Sequence, residues 1–139
     1  RIGEQKDGID MALVIYNTRT KKLEFSGANN HIYIIRNGEM LEYKGNNMPV
    51  AYYEKMSEFT RYTIEMNKGD RLYMFTDGFP DQFGGPQGKK FKYRPFKDLL
   101  LEVHERPMDE QHRILSLIFE EWKGDLSQID DVLVIGLRL

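Results

Sequence analysis

Apolar residues along the first half of the chain fall in short runs of strand length separated by polar turns. From Ile9 to Tyr16 the run IDMALVIY is short and largely apolar, and the polar turn NTRTKK follows it, which favours a buried strand over a helix of that length. KLEFSGA (22–28) reads as the next strand. HIYIIR (31–36) and EMLEY (39–43) flank Asn37-Gly38, a pair that tolerates positive φ at both positions and so marks a hairpin turn. After the irregular stretch KGNNMPVAYYEKM, FTRYTIEM (59–66) alternates like a half-buried strand, and NKGD turns it into RLYMFT (71–76).

The period then lengthens. Phe96, Leu99, Leu100 and Val103 repeat at three and four residues, with Pro95 in the first turn, where its missing N–H is tolerated, and they predict a short amphipathic helix. A second helix is predicted from about Met108 to Trp122, with Ile114, Ile118 and Trp122 in one stripe and Leu115 and Phe119 widening it. KGDLSQ ends that helix, and IDDVLVIGLRL closes the chain as an aspartate pair feeding a last strand. Strands followed by two helices and a returning strand imply an α+β domain of packed antiparallel sheets with helices on an outer face. The return of the last strand can bring Asp130 and Asp131 towards Asp77, because each acidic group adjoins a strand end.

Composition narrows the function. A length of 139 residues fits one domain, and a formal net charge of -2 gives no general attraction to nucleic acid or anionic membrane. Cysteine is absent, which excludes disulfides, thiolate nucleophiles and Cys-based zinc sites. No apolar run approaches the roughly 18 residues of a spanning helix. The start RIGEQKDGID has no signal-peptide core. The segment is therefore expected to be cytoplasmic and without membrane contact, which leaves membrane attachment of a longer parent protein open. His31, His104 and His112 have no metal-ligand spacing and read as surface or packing residues, and no serine sits in a Gly-x-Ser-x-Gly elbow. Lys89, Lys90, Lys92 and Arg94, interleaved with Phe91 and Tyr93, read as a solvated basic loop, with an approach to an anionic substrate as the sharper alternative.

The candidate chemistry is acidic. Asp77 follows LYMFT directly, and Gly78 lets the chain turn without a Cβ clash. A carboxylate at a strand end is held rigidly yet faces open space, an arrangement suited to a hard divalent cation. Asp130 and Asp131 repeat it before VLVIG. The competing account is ordinary turn chemistry, since Asp-Gly and Asp pairs are common in loops. Oxygen-only ligands favour magnesium or manganese over zinc.

DGIDMALVIYNTRTKKLEFSGANNHIYIIRNGE, GDRLYMFTDGFPDQFGG and WKGDLSQIDDVLVIGLRL, in that order, resemble the later part of the metal-dependent protein phosphatase family (protein phosphatase 2C-like). The resemblance is narrower to its bacterial branch named for stage II sporulation protein E, which includes regulators of sigma-factor partner switching. It implies an αββα fold, two antiparallel sheets sandwiched between helices, and hydrolysis of protein phosphoserine or phosphothreonine by two Mg2+ or Mn2+ ions bridged by water, with no side chain phosphorylated. On the match, Asp77 and Asp130 correspond to metal ligands. Asp131 stands where Asn is frequent and is assigned a supporting role. Asp81 matches a position that in some relatives helps hold a weaker third ion, although a loop acid is its simpler reading. Asp7 and Asp10 match a family stretch too, but either could cap a turn, and neither is carried forward as a ligand.

The family's Asp-Gly-x-Gly-His-Gly-like segment, which carries a bridging aspartate, does not occur in this chain. Residues 1–139 are therefore expected to be the C-terminal portion of a single phosphatase domain, without its N-terminal strands and helices and with little activity in isolation. Bare apolar sheet and an unpaired edge would favour self-association. The expected partner is a phosphorylated protein of the anti-sigma antagonist type. The alternative is a non-catalytic regulatory or protein-interaction module of the same fold.

Overall fold

The structure is a computed structural model, and it describes residues 7–52 and 57–139. In chain order the elements are β1 (Gly8–Ile9), β2 (Met11–Asn17), β3 (Lys22–Ala28), β4 (Ile32–Arg36), β5 (Glu39–Tyr43), β6 (Val50–Ala51), β7 (Tyr62–Glu65) and β8 (Arg71–Phe75). They continue with β9 (Phe83–Gly84), β10 (Lys89–Lys90), α1 (Tyr93–Val103), α2 (Met108–Lys123) and β11 (Val134–Arg138). Two antiparallel sheets dominate, one of order β11-β8-β4-β5 and one of order β2-β3-β7. The pairs β1–β6 and β9–β10 are short antiparallel additions.

Three layers follow from the sequence pattern. β4 is apolar at four successive positions because the four-stranded sheet is covered on both faces, so alternate side chains enter different cores. Ile32 and Ile34 join Leu72 of β8 against Leu23, Phe25 and Ile64 of the three-stranded sheet. Tyr33 and Ile35 join Tyr73 and Phe75 on the other face, under Phe96, Leu99, Leu100 and Val103 of α1 and Phe119 of α2. Phe96 anchors this second core, its ring 5.1 Å from both Phe75 and Phe79 by centroids. Asn37 and Gly38, at φ 51 and 77, make the expected β4–β5 turn with positive φ at both central positions.

One expected feature is corrected. The run 9–16 read as a buried strand, but Leu13 and Ile15 are 50% and 59% exposed. β2 is an edge strand, and only its alternate residues Ala12, Val14 and Tyr16 pack into the sandwich. A short apolar run does not reveal whether one or both of its faces are covered. The strand read over 59–66 is also shorter, spanning Tyr62–Glu65, and residues 53–56 of the irregular stretch before it lie outside the described residues. Among the described residues, no helix is long and apolar enough to cross a membrane.

The end of the four-stranded sheet that carries Arg71 is closed by a structural acid. Asp70 is 2% exposed, takes a 2.8 Å ion pair from Arg36 and accepts the Asn67 amide at 2.8 Å. Its hydrogen-bonding capacity is engaged in the fold. Asp77 lies at the other end of β8.

Candidate metal centre

β11 runs antiparallel to β8 with Val134 opposite Phe75, so the segment before β11 lies beside the segment after β8. Three hydrogen bonds fasten these two loops. The Thr76 amide donates to Leu133 at 3.0 Å, the Thr76 hydroxyl donates to the Asp131 carbonyl at 2.9 Å, and the same hydroxyl accepts the Leu133 amide at 3.1 Å. Gly78 completes the junction, since a Cβ there would stand 2.2 Å from the Asp131 carbonyl oxygen. Gly78 does not have the positive φ of Gly38, Gly69 or Gly85. Gly78 lies in the turn over 77–81, as expected, and the clash it avoids is with the second acidic loop: the two loops touch because position 78 has no side chain.

This junction brings Asp130 close enough for its charge to act on Asp77. The Asp77 carboxyl is held above its ordinary value, chiefly by burial, then by the charges of Asp81 and Asp130 and more weakly by Asp10. Asp81 is brought near by a helical turn in which its amide donates to the Asp77 carbonyl at 2.9 Å, and Lys90 lies 3.6 Å from its carboxylate. Asp131 meets the site through its backbone, with its amide donating to Asp130 Oδ1 at 2.7 Å and its carbonyl facing Gly78. Asp10, which sequence reasoning set aside, accepts from Asn29 Nδ2 at 2.9 Å and contributes to the negative field at Asp77. The stretch DGID was the available signal, but an aspartate before a strand is equally ordinary turn chemistry.

Gln82 stiffens the loop that follows Asp77. It is fully buried, its side-chain amide nitrogen donates to the Phe83 and Ser127 carbonyls at 2.9 Å each, and its backbone carbonyl accepts Trp122 Nε1 at 2.8 Å. The turn after β8 is thereby tied both to α2 and to the segment leading to Asp130.

The donor set suits a hard divalent cation in kind. The charges of Asp81, Asp130 and, more weakly, Asp10 all act against ionisation of Asp77, and a cation among them would relieve that repulsion. It is a partial set in number. Among the described residues, no three His, Cys, Asp or Glu side chains converge on one cation position.

Comparison with known proteins identifies the fold and the family. The family model described as "Stage II sporulation protein E (SpoIIE)" matches residues 2–139. No curated protein matches the chain. Among solved structures, the SiaA-PP2C domain of Pseudomonas aeruginosa superposes with a TM-score of 0.84 at 30% identity, over 94% of this chain and 51% of that one. The phosphatase domain of SpoIIE from Bacillus subtilis, presoaked with Mn, gives 0.69 at 17% identity, over 94% and 56%. The catalytic domain of the serine/threonine phosphatase PstP of Mycobacterium tuberculosis, in complex with two manganese ions, gives 0.62 at 15% identity, over 93% and 57%. The chain therefore spans about half the length of the solved domains it matches. With a mixed α+β sandwich shared with these domains and a family match over nearly every residue, this chain belongs to the stage II sporulation protein E (SpoIIE) family of PP2C-type phosphatases.

Proposed function

We propose that this chain supplies the later part of a metal-dependent phosphatase domain that hydrolyses phosphoserine or phosphothreonine in a signalling protein, with Asp77 and Asp130 as metal ligands. The observation that carries the reading is the junction of the loop after β8 with the segment before β11, fastened through Thr76 and Gly78, which sets the charge of Asp130 beside Asp77. A purely structural acid has no need of such an arrangement, as the fully paired Asp70 illustrates. Mg2+ or Mn2+, when bound, supplies the positive charge that acidifies water for attack and offsets charge developing on the phosphoryl group.

The chain's own part is positioning. β8 holds Asp77 on a rigid strand end, the β11 junction presents Asp130 to it, and Asp81 adds negative charge from the adjoining turn. Asp131 supports the junction through its backbone. Two carboxylates make an incomplete ligand set for a pair of ions, so the isolated chain is expected to have little or no activity. The substrate class is a phosphorylated protein of the anti-sigma antagonist type.

The test is release of phosphate from a phosphoserine peptide by the full-length protein, with Mn2+ and with EDTA. Mn2+-dependent release is expected. Its absence under both conditions, with the protein folded, would favour the non-catalytic module instead.

A further inference from the structure

Beside the acidic pair lies a second group of polar side chains that the metal centre does not use. A cavity of about 230 Å³ is lined by His31, Tyr33, Glu42, Lys44, Tyr93 and Lys97. Three elements build it. Tyr33 of β4 stands opposite Glu42 of β5 in the antiparallel register, and His31 and Lys44 lie two residues further along on the same face. Tyr93 and Lys97 are one turn apart on α1 and share a helix face. Ile32 pairs with Met74 of β8, so His31 and Lys44 sit at the end of the sheet where β8 delivers Asp77. Tyr93 links the two sites, its phenol pushed up to about 12 by burial and by the charges of Asp81 and Asp77.

The cavity has more donors than acceptors. Tyr33 is 3% exposed, and its hydroxyl makes no hydrogen bond among the described residues although the residue lines the cavity. Burial, with the nearby Glu42 carboxylate second, keeps that phenol protonated well beyond neutral pH. His31 Nδ1 accepts the Gly45 amide at 2.9 Å, so the neutral ring carries its proton on Nε2 as a donor. Burial, then the charge of Lys44, lowers the His31 pKa and favours that neutral form. Glu42 is the one carboxylate present, and Lys97 pairs with it. Lys44 forms no ion pair among the described residues and leaves the group with a positive charge to spare.

We propose that this cavity binds an oxyanion at the margin of the catalytic centre, a carboxylate from an acidic residue flanking the substrate's phosphorylated residue or the released phosphate. Charged acceptors bind donors more strongly than neutral ones, and buried Tyr33, half-buried Tyr93 and His31 and exposed Lys44 line one space from three sides. The identity of the ligand's source rests on the phosphatase reading; the oxyanion chemistry does not.

The experiment measures binding rather than turnover. Fluorescein-labelled serine peptides without phosphate, identical except for Glu or Gln at the positions flanking the serine, are titrated with the full-length protein in Mn2+ buffer and followed by anisotropy, with inorganic phosphate as competitor. The Glu peptide is expected to bind roughly tenfold more tightly than the Gln peptide, the size of one charge-assisted hydrogen bond. Lys44→Met and Tyr33→Phe should erase the difference, while Glu42→Gln, which frees Lys97, should enlarge it. If phosphate displaces both peptides alike, and does so less well in Lys44→Met and Tyr33→Phe, the cavity takes phosphate. Equal binding of the two peptides, with phosphate competition unchanged in both variants, overturns the proposal. Hydrolysis of p-nitrophenyl phosphate by the wild-type protein reads the phosphatase function separately, because that substrate carries no carboxylate. Turnover without peptide discrimination removes the oxyanion site alone, and discrimination without turnover removes the phosphatase reading alone.

Discussion

Asp77 carries opposed demands at the residue scale. Folding buries it beside Asp130 and Asp81, which raises its pKa above the ordinary 3.8, so the folded metal-free protein holds this proton more tightly than the unfolded chain does. Stability should then fall as pH rises from the ordinary carboxylate value through the raised one, because the penalty applies only to the ionised form. Asp77→Asn is expected to stabilise the metal-free protein at neutral pH and to lose that advantage in acid below the ordinary carboxylate range. Urea denaturation in EDTA across pH checks the sign, and a variant less stable than wild type at neutral pH would contradict it. The acidic residues themselves were legible in the sequence, because Asp77 and Asp130 each adjoin an apolar strand. Their approach was expected only as a possibility of the last strand's return, and the pairing of β11 with β8 is what realises it.

At the scale of elements, the junction between β8 and β11 decides the geometry of the site. Gly78→Ala would put a methyl group 2.2 Å from a backbone oxygen that has no rotamer to escape into. The variant is expected to lose about 1–3 kcal/mol of stability, as overpacked positions do, and to bind Mn2+ more weakly because Asp77 and Asp130 are forced apart. Denaturation and calorimetric titration check the two effects, and unchanged values for both would remove the junction from the account. Elements with a complete pattern were readable in advance: the Asn37-Gly38 turn and the 3.6-residue stripes of α1 and α2 agree with the structure. β2 was misjudged because an apolar sequence records what a strand can bury, not what covers it. The turn at Gly78 was readable, but the neighbour that a Cβ there would strike was not, because Asp131 is remote in sequence.

The whole molecule is a three-layer arrangement in which helices cover one face of the four-stranded sheet, while the outer face of β2 presents Met11, Leu13 and Ile15. Apolar edge strands invite pairing with further chains, so the isolated chain is expected to self-associate, and Leu13→Lys with Ile15→Lys should return it towards monomer. Light scattering after size-exclusion chromatography measures this, and a monomer at high concentration before substitution would contradict it. The acidic pair sits at the end of the four-stranded sheet where the loop after β8 meets the segment before β11, at the same end as the cavity of β4, β5 and α1. That shared end is where metal ions and a phosphorylated substrate would meet.

The central claim is that Asp77 and Asp130 together hold the ions of a phosphatase centre. It is tested most directly by the Mn2+-dependent rate on a phosphoserine peptide for the full-length protein and its Asp77→Asn and Asp130→Asn variants. Each substitution should lower the rate about a hundredfold or more, the scale expected when a ligand to a catalytic metal is lost. Rates equal to wild type in both variants would contradict the assignment.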